Sequence, residues 1–261
     1  MDRRFVTAGG KRLEYLWFGA PPGEAPTIVF LHEGLGSAGL WRDFPARLAE
    51  ATACGALVYS RAGYGASDAV ELPRPIRFMH HEAVVLGEVL DGLGIREHVL
   101  FGHSDGASIA LIHAGSEPRA GLRSLVAEAP HVFAEPHGLA SIARMAEMYR
   151  DHDLRERLAR HHGANVDVAF RGWNDVWLHP EFVHWNVEEY LPAIRAPILV
   201  VQGADDEYGT WAQVEAIQLQ SGASVEVLGL PGCGHSPHRE HPDAVLAAAA
   251  AFIRRCIAPT A

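Results

Sequence analysis

Ser104 stands in Gly102-His103-Ser104-Asp105-Gly106, where the apolar run EHVLFGH (97–103) gives way to a helix-like segment. Gly-x-Ser-x-Gly at such a junction is the pattern of a tight strand-to-helix turn that lifts a serine hydroxyl clear of the backbone. The glycines leave room for the adjoining strand and helix. A serine hydroxyl is a weak nucleophile until a base takes its proton, and the base needs a carboxylate to orient it. Both follow in the chain. Gly203-Ala204-Asp205-Asp206 closes the run PILVVQG (197–203), where a loop at a strand's carboxyl end can present a carboxylate. Gly232-Cys233-Gly234-His235 follows the run SVEVLGL (224–230) and holds a histidine in a Gly-rich loop. Ser, Asp, His in this chain order is one known triad arrangement, and its chemistry is attack of a hydroxyl on a carbonyl.

Groups so far apart in the chain must be brought together by regular elements. Short apolar runs expected to be buried strands recur at TIVFLH (27–32), GALVYS (55–60), EHVLFGH (97–103), LRSLVAEAP (122–130), PILVVQG (197–203) and SVEVLGL (224–230). Helical apolar spacing covers 76–93, 105–117 and 242–257, the last opening on Pro242. The alternation predicts an α/β fold, a mostly parallel sheet flanked by helices, with an early antiparallel piece near 12–18. Between 132 and 190 the alternation breaks. A charged helical stretch (141–162) precedes a segment carrying Phe170, Trp173, Trp177, Phe182 and Trp185. An inserted helical cap is expected there, dividing one catalytic domain into 1–131 and 191–261. The rings serve either to fasten the cap to the core or to line a pocket, and Trp173, Trp177 and Trp185 are the candidates for substrate contact.

With these pieces the chain resembles the α/β-hydrolase family, single-domain capped type, over nearly its full length. The resemblance rests on LHEGLGSAGLW, SRAGYGASD, GHSDG, QGADDEYG and GCGHSPHREHP in that order. It implies a triad of Ser104, Asp206 and His235, since the family's acid lies three residues after the strand-ending glycine. Asp205 then becomes a turn residue. It also implies an oxyanion hole made of two main-chain amides, that of Asp105 and one from the loop 32–37, assigned to Gly34. This loop departs from the family pattern, because Glu33 occupies a glycine position. Glu33 either enters the site as a substrate-binding carboxylate or turns away, to solvent or to pair with Arg61 or Arg42. Asp105 is expected to turn into the protein, toward backbone or an arginine such as Arg61. The alternative is that one of the two carboxylates faces the pocket and favours cationic or hydrogen-bond-donating substrates.

A formal net charge of −10 argues against a basic footprint for nucleic acid or an anionic membrane surface, and points to small-molecule partners. Three cysteines do not make a disulfide framework, and a reducing cytoplasm is the expected compartment. Neither a signal peptide nor an apolar run of about 20 residues is present, so no membrane span is expected. His235, His238 and His241 recur every three residues, but Pro237 and Pro242 interrupt a helical face and no carboxylate or cysteine set completes a shell. No metal site is expected, His238, His241 and the pairs His80-His81 and His161-His162 are placed at the surface, and the chemistry requires no organic cofactor. A serine nucleophile excludes the family members that form an ester on aspartate. Attack on an ester, thioester or lactone carbonyl through an acyl-enzyme remains. The alternatives are carbon–carbon bond hydrolysis or lysis on the same fold, and a ligand-binding protein that retains the triad without turnover. Chain length sets no oligomeric state.

Overall fold

The computed structural model describes residues 3–116 and 119–258. The expected helix end at Glu117, and the outer ends of the spans 1–131 and 191–261, lie outside the described residues. Among the described residues eight strands form one sheet: β1 (Arg4–Ala8), β2 (Lys11–Gly19), β3 (Thr27–Leu31), β4 (Gly55–Tyr59), β5 (His98–His103), β6 (Leu122–Glu128), β7 (Ile198–Gly203) and β8 (Val225–Leu230). Their spatial order is β1-β2-β4-β3-β5-β6-β7-β8. The β1–β2 and β2–β4 pairs are antiparallel and every other pair is parallel. The sequence pattern omits β1 because only Val6 and Ala8 of that strand are buried, too few to form an apolar run.

The central strands are apolar throughout because both faces of the sheet are covered. In β3, Val29 and Leu31 join the core beneath α2 (Phe78–Gly92) and α3 (Asp105–Ser116), while Ile28 and Phe30 join the core beneath α1 (Phe44–Thr52) and α9 (Pro242–Ile257). Leu100 and Phe101 divide the same way in β5. Burying each such side chain contributes on the order of 1.5–3 kcal/mol, which holds the strands side by side and their carboxyl ends in one row.

Between β6 and β7 the chain forms α4 (Pro136–Asp151), α5 (Leu154–His162) and α6 (Val166–Trp177), followed by short 3₁₀ turns. The stretch expected as one helix over 141–162 is two, broken at His152, whose backbone is extended. Helix α6 carries Val166, Ala169, Phe170, Trp173, Val176 and Trp177 on one buried face at helical spacing. Its outer face is charged, with Arg171 and Asp175 paired one turn apart at 3.3 Å. Two elements complete the second half of the chain: α7 (Trp211–Gln220) and a single turn, α8 (Pro237–Glu240). Among the described residues no helix is long and apolar enough to cross a membrane, and Cys54, Cys233 and Cys256 are free thiols.

Candidate active site

Ser104 occupies the turn between β5 and α3 with φ 54°, the left-handed region that a residue bearing a Cβ seldom adopts. Such a conformation costs on the order of 1–3 kcal/mol, and the surrounding structure must impose it. Here Ser104 N donates to Glu128 O of β6 (2.9 Å) and Ser104 O accepts from Ala107 N (2.8 Å). A Cβ on Gly102 would lie 2.4 Å from Gly106 O, and one on Gly106 would lie 2.0 Å from Leu31 O. Both glycines are therefore required by close backbone approach.

His235 reaches the serine from the loop after β8, with Nε2 2.9 Å from Ser104 Oγ. On its other side Nδ1 lies 2.8 and 2.9 Å from the two oxygens of Asp206. Asp206 is buried and also accepts from Gln202 Nε2, Tyr208 N and Gly209 N. Burial opposes its ionisation, but His235 and these donors outweigh that and hold the carboxyl well below the usual range. Asp205 points away and is exposed, its amide donating to Cys233 O (2.9 Å). The structure thus joins Ser104, His235 and Asp206 and leaves Asp205 outside.

Gly34 and Asp105 both border the cavity beside Ser104. Asp105 begins α3, so its amide belongs to the first helical turn, where the helix has no carbonyl to receive it. Gly34 must be glycine, since a Cβ there would meet Trp173 Nε1 at 2.1 Å. Glu33 is paired with neither Arg61 nor Arg42. Its carboxylate lies 3.7 Å from His103 Nδ1 and 3.5 Å from Arg239. Burial raises the Glu33 pKa, but these partners bring it well below the ordinary value. Arg42 is exposed, and Arg61 donates to the main-chain carbonyls of His32 and Glu33. Arg61 therefore acts on Asp105 through its charge alone. The Asp105 side chain is fully buried and accepts from Trp177 Nε1 at 3.2 Å, a contact to the inserted helices in place of the expected backbone or arginine partner.

The cavity above the serine measures about 270 Å³. Its lining includes apolar Leu35, Ile142, Met145, Trp173 and Trp177 and polar Glu33, His131, Glu207, Tyr208 and Arg239. Trp185 does not border the cavity. It stacks on Phe182 (5.4 Å, 8°) behind Trp177. Two histidines expected at the surface are buried. His238 Nδ1 lies 2.8 Å from Glu128 Oε1, and His162 accepts from Gly65 N and meets Leu35 O. Hydrogen bonding makes their burial tolerable. His131 and Tyr208 escaped sequence reasoning: His131 lies outside every motif, and Tyr208, though inside QGADDEYG, carries no role in that pattern. Tyr208 is only two residues beyond Asp206, and its ring packs 4.6 Å from that of His235.

The fold also has counterparts among known proteins. Residues 28–249 match the Alpha/beta hydrolase family, and the chain belongs to it. It is similar to the 2-succinyl-6-hydroxy-2,4-cyclohexadiene-1-carboxylate synthase of Enterobacter sp. (strain 638), with 28% identity over 88% of this chain and 92% of that one. Among solved structures it resembles the esterase RhEst1 from Rhodococcus sp. ECU1013, with TM-score 0.75, 19% identity, and 98% and 100% of the two chains covered. The enol-lactonase from Burkholderia xenovorans LB400 gives TM-score 0.71 and 21% identity over 96% and 99% of the chains. At these identities the structural likeness is one of fold.

Proposed function

We propose that the protein is a serine hydrolase that cleaves a small-molecule ester, thioester or lactone through an acyl-enzyme on Ser104. The observation that carries this reading is the unbroken relay from Ser104 Oγ to His235 Nε2 (2.9 Å) and from His235 Nδ1 to Asp206 (2.8 Å), opening on a cavity. His235 takes the hydroxyl proton as Ser104 attacks the carbonyl carbon. Asp206, held ionised by its own donors, stabilises the imidazolium. The amides of Gly34 and Asp105 receive the oxyanion, and the strained turn at Ser104 aims the hydroxyl without further reorganisation. As the tetrahedral adduct collapses, His235 returns the proton to the departing alcohol, thiol or lactone oxygen. It then activates a water that releases the acid. No step calls for a metal or organic cofactor. The inserted helices, 132–190, serve as a cap whose Trp173 and Trp177 bound the substrate, and the compartment we assign is the cytoplasm, in keeping with the unpaired thiols.

A second reading, carbon–carbon bond cleavage or lysis by the same triad, draws on the relative named as a synthase of a succinyl-bearing carboxylate. The cavity favours the first. Its lining includes Glu33, Asp105 and Glu207 with one arginine, Arg239, which already faces Glu33. A substrate with several carboxylates would be repelled more than held there.

The test is a panel of p-nitrophenyl esters of graded acyl length, run on the parent and on Ser104→Ala. The variant should keep its fold and lose on the order of 10⁴-fold in turnover. Near-normal turnover in a folded Ser104→Ala protein overturns the acyl-enzyme.

A further inference from the structure

The relay leaves one imidazole of the cavity without a task. His131 follows β6, and its ring lies 5.6 Å from that of His235 and 5.3 Å from Trp177. It is held there deliberately by its surroundings. The main-chain carbonyl accepts from Ser108 Oγ of α3 at 2.6 Å. Gly209 leaves space for the ring, since a Cβ at 209 would lie 3.1 Å from Cε1 and 3.3 Å from Nδ1. His131 is only 5% exposed and borders the cavity with Ser104 and His235. Neither of its ring nitrogens has a hydrogen-bond partner among the described residues.

Burial, followed by the charge of His235, lowers the His131 pKa to about 4, so the ring is neutral near pH 7. A neutral imidazole offers one donor and one acceptor. A carboxylate needs the N–H and meets the carboxylates that line the cavity, and an ammonium group needs the bare nitrogen. A hydroxyl serves either tautomer, donating to a bare nitrogen or accepting from an N–H, so it pairs with whichever nitrogen faces the cavity.

We propose that His131 is a specificity-determining residue that binds a hydroxyl group of the substrate beside the scissile carbonyl, making hydroxyacyl esters, thioesters or hydroxylactones the favoured substrates. This rests on the serine-hydrolase reading of the same site.

Ethyl butyrate, ethyl 2-hydroxybutyrate and ethyl 3-hydroxybutyrate would be compared by pH-stat in the parent, His131→Phe and His131→Asn. In the parent, kcat/KM for at least one hydroxy ester should exceed that for butyrate by about tenfold or more. The ratio should collapse toward one in His131→Phe and recover in part in His131→Asn, whose amide supplies a donor and an acceptor. A parent ratio near one for both hydroxy esters, or a ratio retained in folded His131→Phe, overturns the proposal. Labelling of parent Ser104 by a neutral fluorophosphonate tests the underlying reading separately. Imidazole resonances of His131 in Ser104→Ala supply a readout that needs neither turnover nor a folded Phe variant. Hydroxybutyramides should shift them and butyramide should not, and equal shifts count against the role.

Discussion

The indole N–H of Trp177 donates to Asp105 Oδ1 at 3.2 Å, fastening the helices between β6 and β7 to the residue that follows Ser104. The other carboxylate oxygen, Oδ2, is buried without a hydrogen-bond partner among the described residues. Burial pushes the Asp105 carboxyl up to about 6, and the charge of Arg61 with the Trp177 bond recovers only part of the cost.

This has a defined pH signature. With the folded pKa above the unfolded one, the native protein binds more protons between about pH 4 and pH 6, and Asp105 lowers stability as pH rises through that window. Asp105→Asn should therefore gain on the parent from about pH 4 to pH 6 and hold a constant advantage above it, on the order of 2–3 kcal/mol. Urea midpoints across this range measure the difference. A difference that does not change with pH would remove the buried carboxylate from the account.

Asp206 and Asp205 are adjacent but should respond very differently. Asp206→Asn removes the anion that orients His235, and turnover should drop on the order of 10³–10⁴-fold. Asp205→Asn alters an exposed side chain and should stay within about threefold of the parent. Equal losses in two folded variants would contradict the relay.

The three tryptophans between β6 and β7 separate in the same way. Trp173 and Trp177 border the cavity, and replacing either with Ala should shift preference toward longer acyl chains in the p-nitrophenyl panel. Trp185 lies behind Trp177. Trp185→Ala should cost about 3–5 kcal/mol of stability with the chain-length profile retained, and a profile that moves as much as in the other two would place its ring in the site.

Glu33 should reveal itself through His103. Burial lowers the His103 pKa, but Glu33 and Glu128 outweigh it and raise the group above its ordinary value. Glu33→Gln should move the His103 titration, followed by NMR, to lower pH. A raised histidine pKa stabilises the fold at low pH, and that contribution fades as pH rises through the folded value. The variant should accordingly lose more stability near pH 6 than near pH 9. An unmoved His103 resonance would mean the 3.7 Å approach carries no charge coupling.

Local rules sufficed for much of this protein. The buried strands show as apolar runs because both faces of the sheet are covered, whereas β1, half exposed at the edge, leaves no such run. Gly102 is required by the turn itself, where a Cβ would meet Gly106 O, and that constraint is written within five residues, whereas Gly106 makes room for the carbonyl of Leu31 in β3, a contact that only the fold creates. The order Ser104, Asp206, His235 is likewise a property of the chain. Which side chains meet across the fold is not. His103 bonding the carbonyl of His235, Glu33 facing Arg239 in place of Arg61, Asp105 taking the indole of Trp177 and His131 entering the cavity all join distant positions. Trp177 and Trp185 look alike in sequence, yet one meets the cavity and the other stacks on Phe182. Side-chain direction in an inserted segment follows from how its helices pack on the sheet, and that packing exists only once the whole chain has folded.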